Sequence, residues 1–295
     1  MIAIAESGST KTEWFVINEH GDTVSRFYTQ GFNPDFHGSR DISEALSASK
    51  EIEKIGKEIC KVYFFGASCS SKNNISKVKA GLITVFPNST IFVDHDLLAC
   101  AYALSDGEEL ITCILGTGSN SAYYDGQSMI AEIPALGVFM GDEASGAYFG
   151  KRLLKDFFNQ KLPTDIHHQL GKEHSLKWSE TREIIYGSNQ ANVFLASFMP
   201  FIFQFQDHAY IKDIVKEGIE DFIDIHVNCY RKYSSKRVGF VGTIAFLFQD
   251  QLRDSLQSQG FELAKVIKSP GQELVNHLIQ VRKILEKSPE SARVE

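Results

Sequence analysis

One short grammar occurs twice in this chain, and it constrains the fold more than any other feature of the sequence. Residues 2–16 read IAIAESGSTKTEWFV: an apolar run (Ile2, Ala3, Ile4, Ala5), a tip of small and hydroxyl residues (Ser7-Gly8-Ser9-Thr10-Lys11-Thr12), then a second apolar run from Trp14. Further on, Leu110 to Leu115 runs into Gly116-Thr117-Gly118-Ser119-Asn120-Ser121, then Ala122-Tyr123-Tyr124 and the turn Asp125-Gly126. Two β-like runs joined by such a tip make a hairpin. Glycine lets backbone N–H groups approach an anion closely, and Thr and Lys side chains can join them. A single tip of this kind reads equally well as an ordinary polar turn. Two of them, one per half, point to phosphate binding.

The bulk properties narrow the setting. At 295 residues the chain exceeds the usual size of one hydrophobic core, so two lobes are expected. A formal charge of −7 argues against a nucleic-acid binder. No apolar run approaches the roughly 20 residues of a membrane span, and residues 1–16 enter a strand pattern with no basic leader or cleavage site. Cys60, Cys69, Cys100, Cys113 and Cys229 are odd in number and lack CxxC spacing, which favours reduced thiols in a cytoplasm over disulfides or zinc.

Taken in order, Asn18-Glu19-His20-Gly21-Asp22 is a turn and Thr23 to Thr29 a third strand, so three antiparallel strands open the chain. Asp41 to Glu58 has the apolar spacing of one helix, with Asp41 or Ser43 as cap. Lys61 to Gly66 reads as a buried strand, Ser76 to Phe86 as a helix, Ile91 to Asp94 as a strand, and Leu97 to Leu104 as a helix beginning straight after Asp96. The order β-β-β-α-β-α-β-α is that of a ribonuclease H-like half. After the second hairpin, Gly137, Gly141, Gly146 and Gly150 punctuate residues 133–150, which carry the acidic pair Asp142-Glu143 and lead into a helix from Ala147 to Phe158. Asp142 reads either as the N-cap of that helix or as a site residue. Residues 164–232 are largely helical, with the aromatic run Phe194 to Phe205 assigned to core. Arg237 to Ile244 is a late strand ending in Gly242-Thr243, Phe261 to Val266 a last strand, and Glu273 to Leu285 a terminal helix before a frayed end at Lys287 to Glu295.

With these pieces in place the sequence resembles the sugar-kinase, Hsp70 and actin superfamily, and within it the BadF/BadG/BcrA/BcrD ATPases, N-acetylglucosamine kinases above all. Glu6 to Thr12 matches the first phosphate motif, Leu115 to Asn120 the second, and Val241-Gly242-Thr243-Ile244-Ala245 the adenosine motif. Gly141-Asp142-Glu143-Ala144-Ser145-Gly146 is similar to the Gly-Asp-Glu-Gly-Ser-Gly signature of the family and is the most specific match. The resemblance implies an α/β fold of two ribonuclease H-like lobes (the actin-like ATPase fold) with a nucleotide cleft between them. The expected lobes are residues 1–105 and 106–272, the second with a helical insertion at about 164–232, and a C-terminal helix at 273–287 packs back on the first.

It also implies roles. Asp96 would be the catalytic base of an ATP- and Mg²⁺-dependent phosphorylation of an amino sugar, N-acetylglucosamine at its 6-hydroxyl, with Asp94 as the alternative. Ser9, Thr10, Lys11, Thr12, Gly116, Thr117, Gly118 and Ser119 would hold phosphates, and Gly242 and Thr243 adenosine. Asn33, Ser68, Asp96 and Asp142 would hold the sugar, and Glu6 the metal. A homodimer is implied, with no nucleic-acid or membrane partner. Three departures stand out: Glu6 in place of Asp, Thr243 in place of a second glycine, and Ala144 in place of a glycine, the last tolerable only if that position does not require positive φ. Two alternatives remain open at this level, an ATPase activator coupled to a redox partner and a non-catalytic sugar or nucleotide sensor.

Overall fold

The computed structural model describes residues 1–284 apart from 9, 189 and 282. The chain divides into two units, one of Met1–Gly107 with the segment from Pro270, the other Glu108–Ser269. The expectation for Ser9, and those for residues 285–295, lie outside the described residues.

In the first unit, β1 (Ile2–Ser7) pairs antiparallel with β2 (Lys11–Ile17), which pairs with β3 (Thr23–Gln30). On its other side β1 pairs in parallel with β4 (Lys61–Gly66), and β4 with β5 (Thr90–His95), for the order β3-β2-β1-β4-β5. Strands β1 and β2 are covered on both faces, which is why they read as continuous apolar runs, whereas edge strand β3 is mostly exposed. One face packs Trp14, Phe32, Phe64 and Phe86 with residues of α1 (Ser39–Ser47), α2 (Lys50–Ile55) and α3 (Lys72–Val85). On the other lie α4 (Asp96–Leu104) and the last described helix (Gly271–Gln280), joined by a ring stack of Tyr102 on His277 at 4.4 Å.

Several helix limits differ from the sequence reading, each for a local reason. The single helix expected over Asp41 to Glu58 is broken, because Ser49 offers its hydroxyl to the Ile52 N–H and starts a new helix. Asp41 is not the cap; its carboxylate accepts the Gly38 N–H at 2.7 Å from within the first turn. Helix α3 begins at Lys72 rather than Ser76, because the Ser71 hydroxyl caps it through the Asn74 N–H. The last helix ends at Gln280 among the described residues.

The second unit repeats the sheet plan. Here β6 (Leu110–Leu115) pairs antiparallel with β7 (Ser119–Tyr124), which continues to the short β8 (Met129–Ile130). The parallel side is β9 (Arg237–Val241) and β10 (Glu262–Ile267), giving β10-β9-β6-β7-β8. Between β8 and β9 the chain is helical: α5 (Gly137–Met140), α6 (Gly146–Phe158), α7 (Thr164–His174), α8 (Trp178–Gly187), α9 (Ala191–Ala196), α10 (Met199–Gln204) and α11 (Ala209–Phe222). A π-helical turn, Ile223–Val227, prolongs α11. After β9 come α12 (Thr243–Leu247) and α13 (Gln249–Ser258). Phe198 and Phe201 of the aromatic run are buried in this unit's core, while Phe203 is exposed.

Candidate functional site

The parallel strands of the first unit end side by side. Register pairs Glu6 with Phe65 and Ser7 with Gly66, and Phe65 with Asp94 and Gly66 with His95. The carboxyl ends of such strands are where open α/β sheets bind ligands. Glu6, Ser68 and Asp96 therefore come to one edge, although they are spread over ninety residues of sequence.

Asp96 is the first residue of α4, and its carboxylate accepts the Leu97 N–H at 2.9 Å. Burial pushes its pKa up, against the opposing pull of His95 and the backbone N–H bonds. Glu6 is also lifted, from 4.5 to about 8, first by burial and then by the nearby carboxylates of Asp96 and Glu13, with Lys11 working the other way. Asp94, the alternative base, is about half exposed, and its carboxylate is turned to the His95 N–H. Glu13 is buried and pairs with Arg26 and the Tyr28 hydroxyl.

The tip after β1 is tied from inside. Phe32 N–H donates to Ser7 Oγ at 3.0 Å, the Ser7 hydroxyl lies 2.7 Å from Thr12 Oγ1, and Thr12 donates to the Gln30 carbonyl at 2.9 Å. Because Thr12 donates to a carbonyl, it must accept from Ser7, so the relay runs one way. Ser7 and Thr12 are both fully buried. Thr12, expected at a phosphate, instead braces the tip, and Ser7 is the residue that sequence reasoning missed. Thr10 and Lys11 are exposed, with Lys11 Nζ 4.8 Å over the Tyr28 ring.

Asn33 forms an Asx turn, its side-chain carbonyl accepting the Asp35 N–H at 2.9 Å, and among the described residues its NH₂ group makes no hydrogen bond. Ser68 sits in the left-handed region at φ 58°. A second missed residue, Asn74, holds both loops: its amide donates to Asp35 Oδ1 at 2.8 Å and to the Ser68 carbonyl at 3.0 Å. Lys77 adds a bond to the Pro34 carbonyl at 2.8 Å. The spacing Ser71, Asn74, Lys77 on one helix face was the only available signal, and it reads as an ordinary polar face.

In the second unit the tip Gly116–Gly118 is bonded to the start of α6: Gly146 N–H donates to the Gly116 carbonyl at 2.9 Å and Ala147 N–H to that of Thr117 at 3.0 Å. Asp142 is not the cap of α6. That role belongs to Ser145, whose Oγ accepts the Tyr148 N–H at 3.1 Å, which leaves Asp142 to accept the Ser119 N–H at 3.2 Å. A Cβ on Gly118 would stand 3.1 Å from the Asp142 carboxylate oxygens. Burial raises the pKa of Asp142. Asp142 and Ala144 both have positive φ, 61° and 55°, so the condition set for Ala144 fails and alanine holds a conformation that glycine adopts without strain. Beside them Glu143 meets buried His226 at 2.9 Å, brought there by the π-helical turn. Thr117 and Gly118 are partly exposed, and Ser119 is buried with its hydroxyl unpartnered among the described residues.

Gly242 could be nothing but glycine. Its φ is +130°, and a Cβ would lie 2.1 Å from the Leu115 carbonyl oxygen. This contact brings the end of β9 against the second tip, with Thr243 exposed at the start of α12. No cluster of three or more potential metal ligands occurs among the described residues. His167 stacks on Phe157 and His208 caps α11, so these two histidines have structural partners.

No family model and no curated protein sequence matches the chain. Solved structures do. A Porphyromonas gingivalis protein, provisionally designated an N-acetylglucosamine kinase, is 32% identical over 96% of this chain and 100% of its own, with a TM-score of 0.88. A provisional N-acetylglucosamine kinase from Chromobacterium violaceum shares the fold at 15% identity and a TM-score of 0.70, over 94% of this chain and 98% of that one. A ROK-family glucokinase from Streptomyces griseus, solved with glucose and AMPPNP, does so at 14% identity and a TM-score of 0.55, over 95% and 98%. The fold is the two-lobe α/β fold of the actin-like ATPase superfamily. With the first of these matches spanning nearly its whole length, the chain belongs to the sugar kinases of that superfamily.

Proposed function

We propose that this protein is an ATP-dependent kinase of an amino sugar, with N-acetylglucosamine as the leading substrate and the 6-hydroxyl as the acceptor. Its nearest place would be with the BadF/BadG/BcrA/BcrD ATPases, through Gly141 to Gly146. The observation that carries the reading is Asp96 at the first position of α4, its pKa raised by burial. A carboxylate shifted toward neutrality is suited to take a hydroxyl proton. Asp96 would accept the sugar hydroxyl proton as that oxygen attacks the γ-phosphate, and the free amide of Asn33, Ser68 and Asp142 would orient the sugar ring. Exposed Thr10 and Lys11, and the Gly116–Ser119 tip, would grip phosphate oxygens, while Gly242 and Thr243 would lie against adenosine.

Two carboxylates sharing one edge with a single nearby lysine fit a divalent cation. Glu6 would hold Mg²⁺, directly or through water, and the ion would supply charge neutralisation at the phosphates. The free cysteines support a reducing compartment, and a cytoplasmic location is proposed on that ground. Cys100 and Cys113 are buried, which gives the redox-activator alternative no exposed cluster ligands at those positions.

The test is a coupled ADP-release assay across a panel of amino sugars with wild type and Asp96→Asn. N-acetylglucosamine should stimulate the wild type, and the variant should lose about 10²–10⁴-fold in kcat. No stimulation by N-acetylglucosamine would remove it as the substrate, and an unaltered Asp96→Asn would remove Asp96 as the base.

A further inference from the structure

A pocket of about 540 Å³ opens on the helical part of the second unit, and neither the tip residues nor Asp142 are among those lining it. Its size is that of a small-molecule site. Helix α6 contributes Lys151, Lys155 and Phe158, α8 contributes Trp178 and Tyr186, and α5 contributes Phe139; Phe158 and Trp178 meet edge to face, ring centroids 5.4 Å apart. Phe139, Trp178 and Tyr186 are 64%, 52% and 72% exposed, so three of the large apolar side chains on the surface ring one opening. Side chains of that kind scattered singly need no explanation, but a ring of them marks a binding surface.

The charges of α6 are sorted by face. Arg152 is bonded to Asp156 at 3.0 Å and to Glu217 at 3.2 Å, and Tyr210 donates to the same Asp156 carboxylate. Lys151 and Lys155, four residues apart, share the neighbouring face and line the pocket. Among the described residues no acidic side chain lines it with them. Lys151 Nζ donates to the Val138 carbonyl at 2.7 Å, and Lys155 makes no ion pair among the described residues. Partial burial lowers the pKa of Lys151, with the carboxylates of Asp142 and Glu143 pulling it the other way. In a chain with a net charge of −7, Lys155, without an ion pair among the described residues, leaves a positive charge at the edge of an aromatic pocket, whereas Lys151 already faces the carboxylates of Asp142 and Glu143.

We propose that this pocket binds an amphipathic monoanion, its apolar body against Trp178, Tyr186 and Phe139 and its carboxylate or sulfonate on Lys155, with Lys151 beside it. None of the residues assigned to the sugar lines the pocket, although Lys151 lies within electrostatic reach of Asp142. Its occupant would share Lys151 with the Val138 carbonyl, which lies three residues before Gly141.

Tryptophan fluorescence reads this directly. The chain has two tryptophans, and Trp14 is fully buried in the first unit, stacked on Phe27, so a ligand-dependent change reports on Trp178. Titration with decanoate should give a saturable change that Trp178→Phe abolishes, while calorimetry still detects binding to that variant. Decan-1-ol and decyltrimethylammonium should bind at least about tenfold more weakly than decanoate, and Lys155→Glu should weaken decanoate by a similar factor without affecting decan-1-ol. Equal binding of the three probes, decanoate affinity unaltered in Lys155→Glu, or no saturation by decanoate would each overturn the proposal. So would sedimentation showing a dimer that Tyr186→Ser dissociates, since a second copy would then be the occupant.

Discussion

Replacing Glu6 by glutamine is expected to stabilise the protein, and increasingly so as pH rises. Glu6 occupies the last-but-one position of β1 and keeps only partial contact with solvent. Lost hydration, then repulsion from Asp96 and Glu13, lift its pKa from 4.5 to about 8. Between those values the native protein holds a proton that the unfolded chain has released. Stability therefore falls as pH rises through that window and levels off above it, because the native state binds more protons than the unfolded one. The displacement from 4.5 to about 8 corresponds to about 4–5 kcal/mol at 1.36 kcal/mol per pH unit. Residual solvent contact screens part of this, and about 2–3 kcal/mol is the working figure. Glutamine keeps the shape and carries no charge. The variant should match wild type near pH 4.5–5 and exceed it by about 2–3 kcal/mol at pH 9, a rise in Tm of roughly 3–5 °C. Calorimetric scans of both proteins from pH 5 to 9, without Mg²⁺ or nucleotide, make the comparison. A difference that is the same at both ends of the range, or a wild type more stable at pH 9, would refute the reasoning.

Three further outcomes follow from single contacts. Gly242→Ala should lower stability by about 3–5 kcal/mol in denaturant titration, since the added Cβ meets the Leu115 carbonyl oxygen at 2.1 Å and φ is +130°. Ala144→Gly should raise the denaturation midpoint by up to about 1 kcal/mol, because relief of the left-handed backbone at φ 55° exceeds the entropy that glycine adds to the unfolded chain. Ser7→Ala leaves the Phe32 N–H without its partner, at a cost of about 1–3 kcal/mol. By loosening the turn at Asn33, the same substitution should raise the sugar KM several-fold with kcat little altered, as steady-state kinetics would show.

Local sequence pattern settles the parts of this fold that depend on neighbours along the chain. Both hairpins are legible because apolar runs bounded by Gly, Ser and Thr leave few other pairings, and the structure has β1 with β2 and β6 with β7 joined at those tips. Asp96 is visible as the residue where a strand hands over to a helix. What tertiary structure decided are contacts across long separations, where local pattern carries no information. Ser7 and Phe32 meet over 25 residues, Asn74 and Asp35 over 39, and Glu143 and His226 over 83. The same holds for Thr12, which looks like a ligand-binding hydroxyl in the sequence and is turned inward because its strand is covered on both faces. Asp142 was ambiguous between cap and site residue until Ser145 took the cap three residues later. Local propensity places the strands and tips, whereas the direction in which a polar side chain points depends on which distant backbone groups the fold brings within its reach.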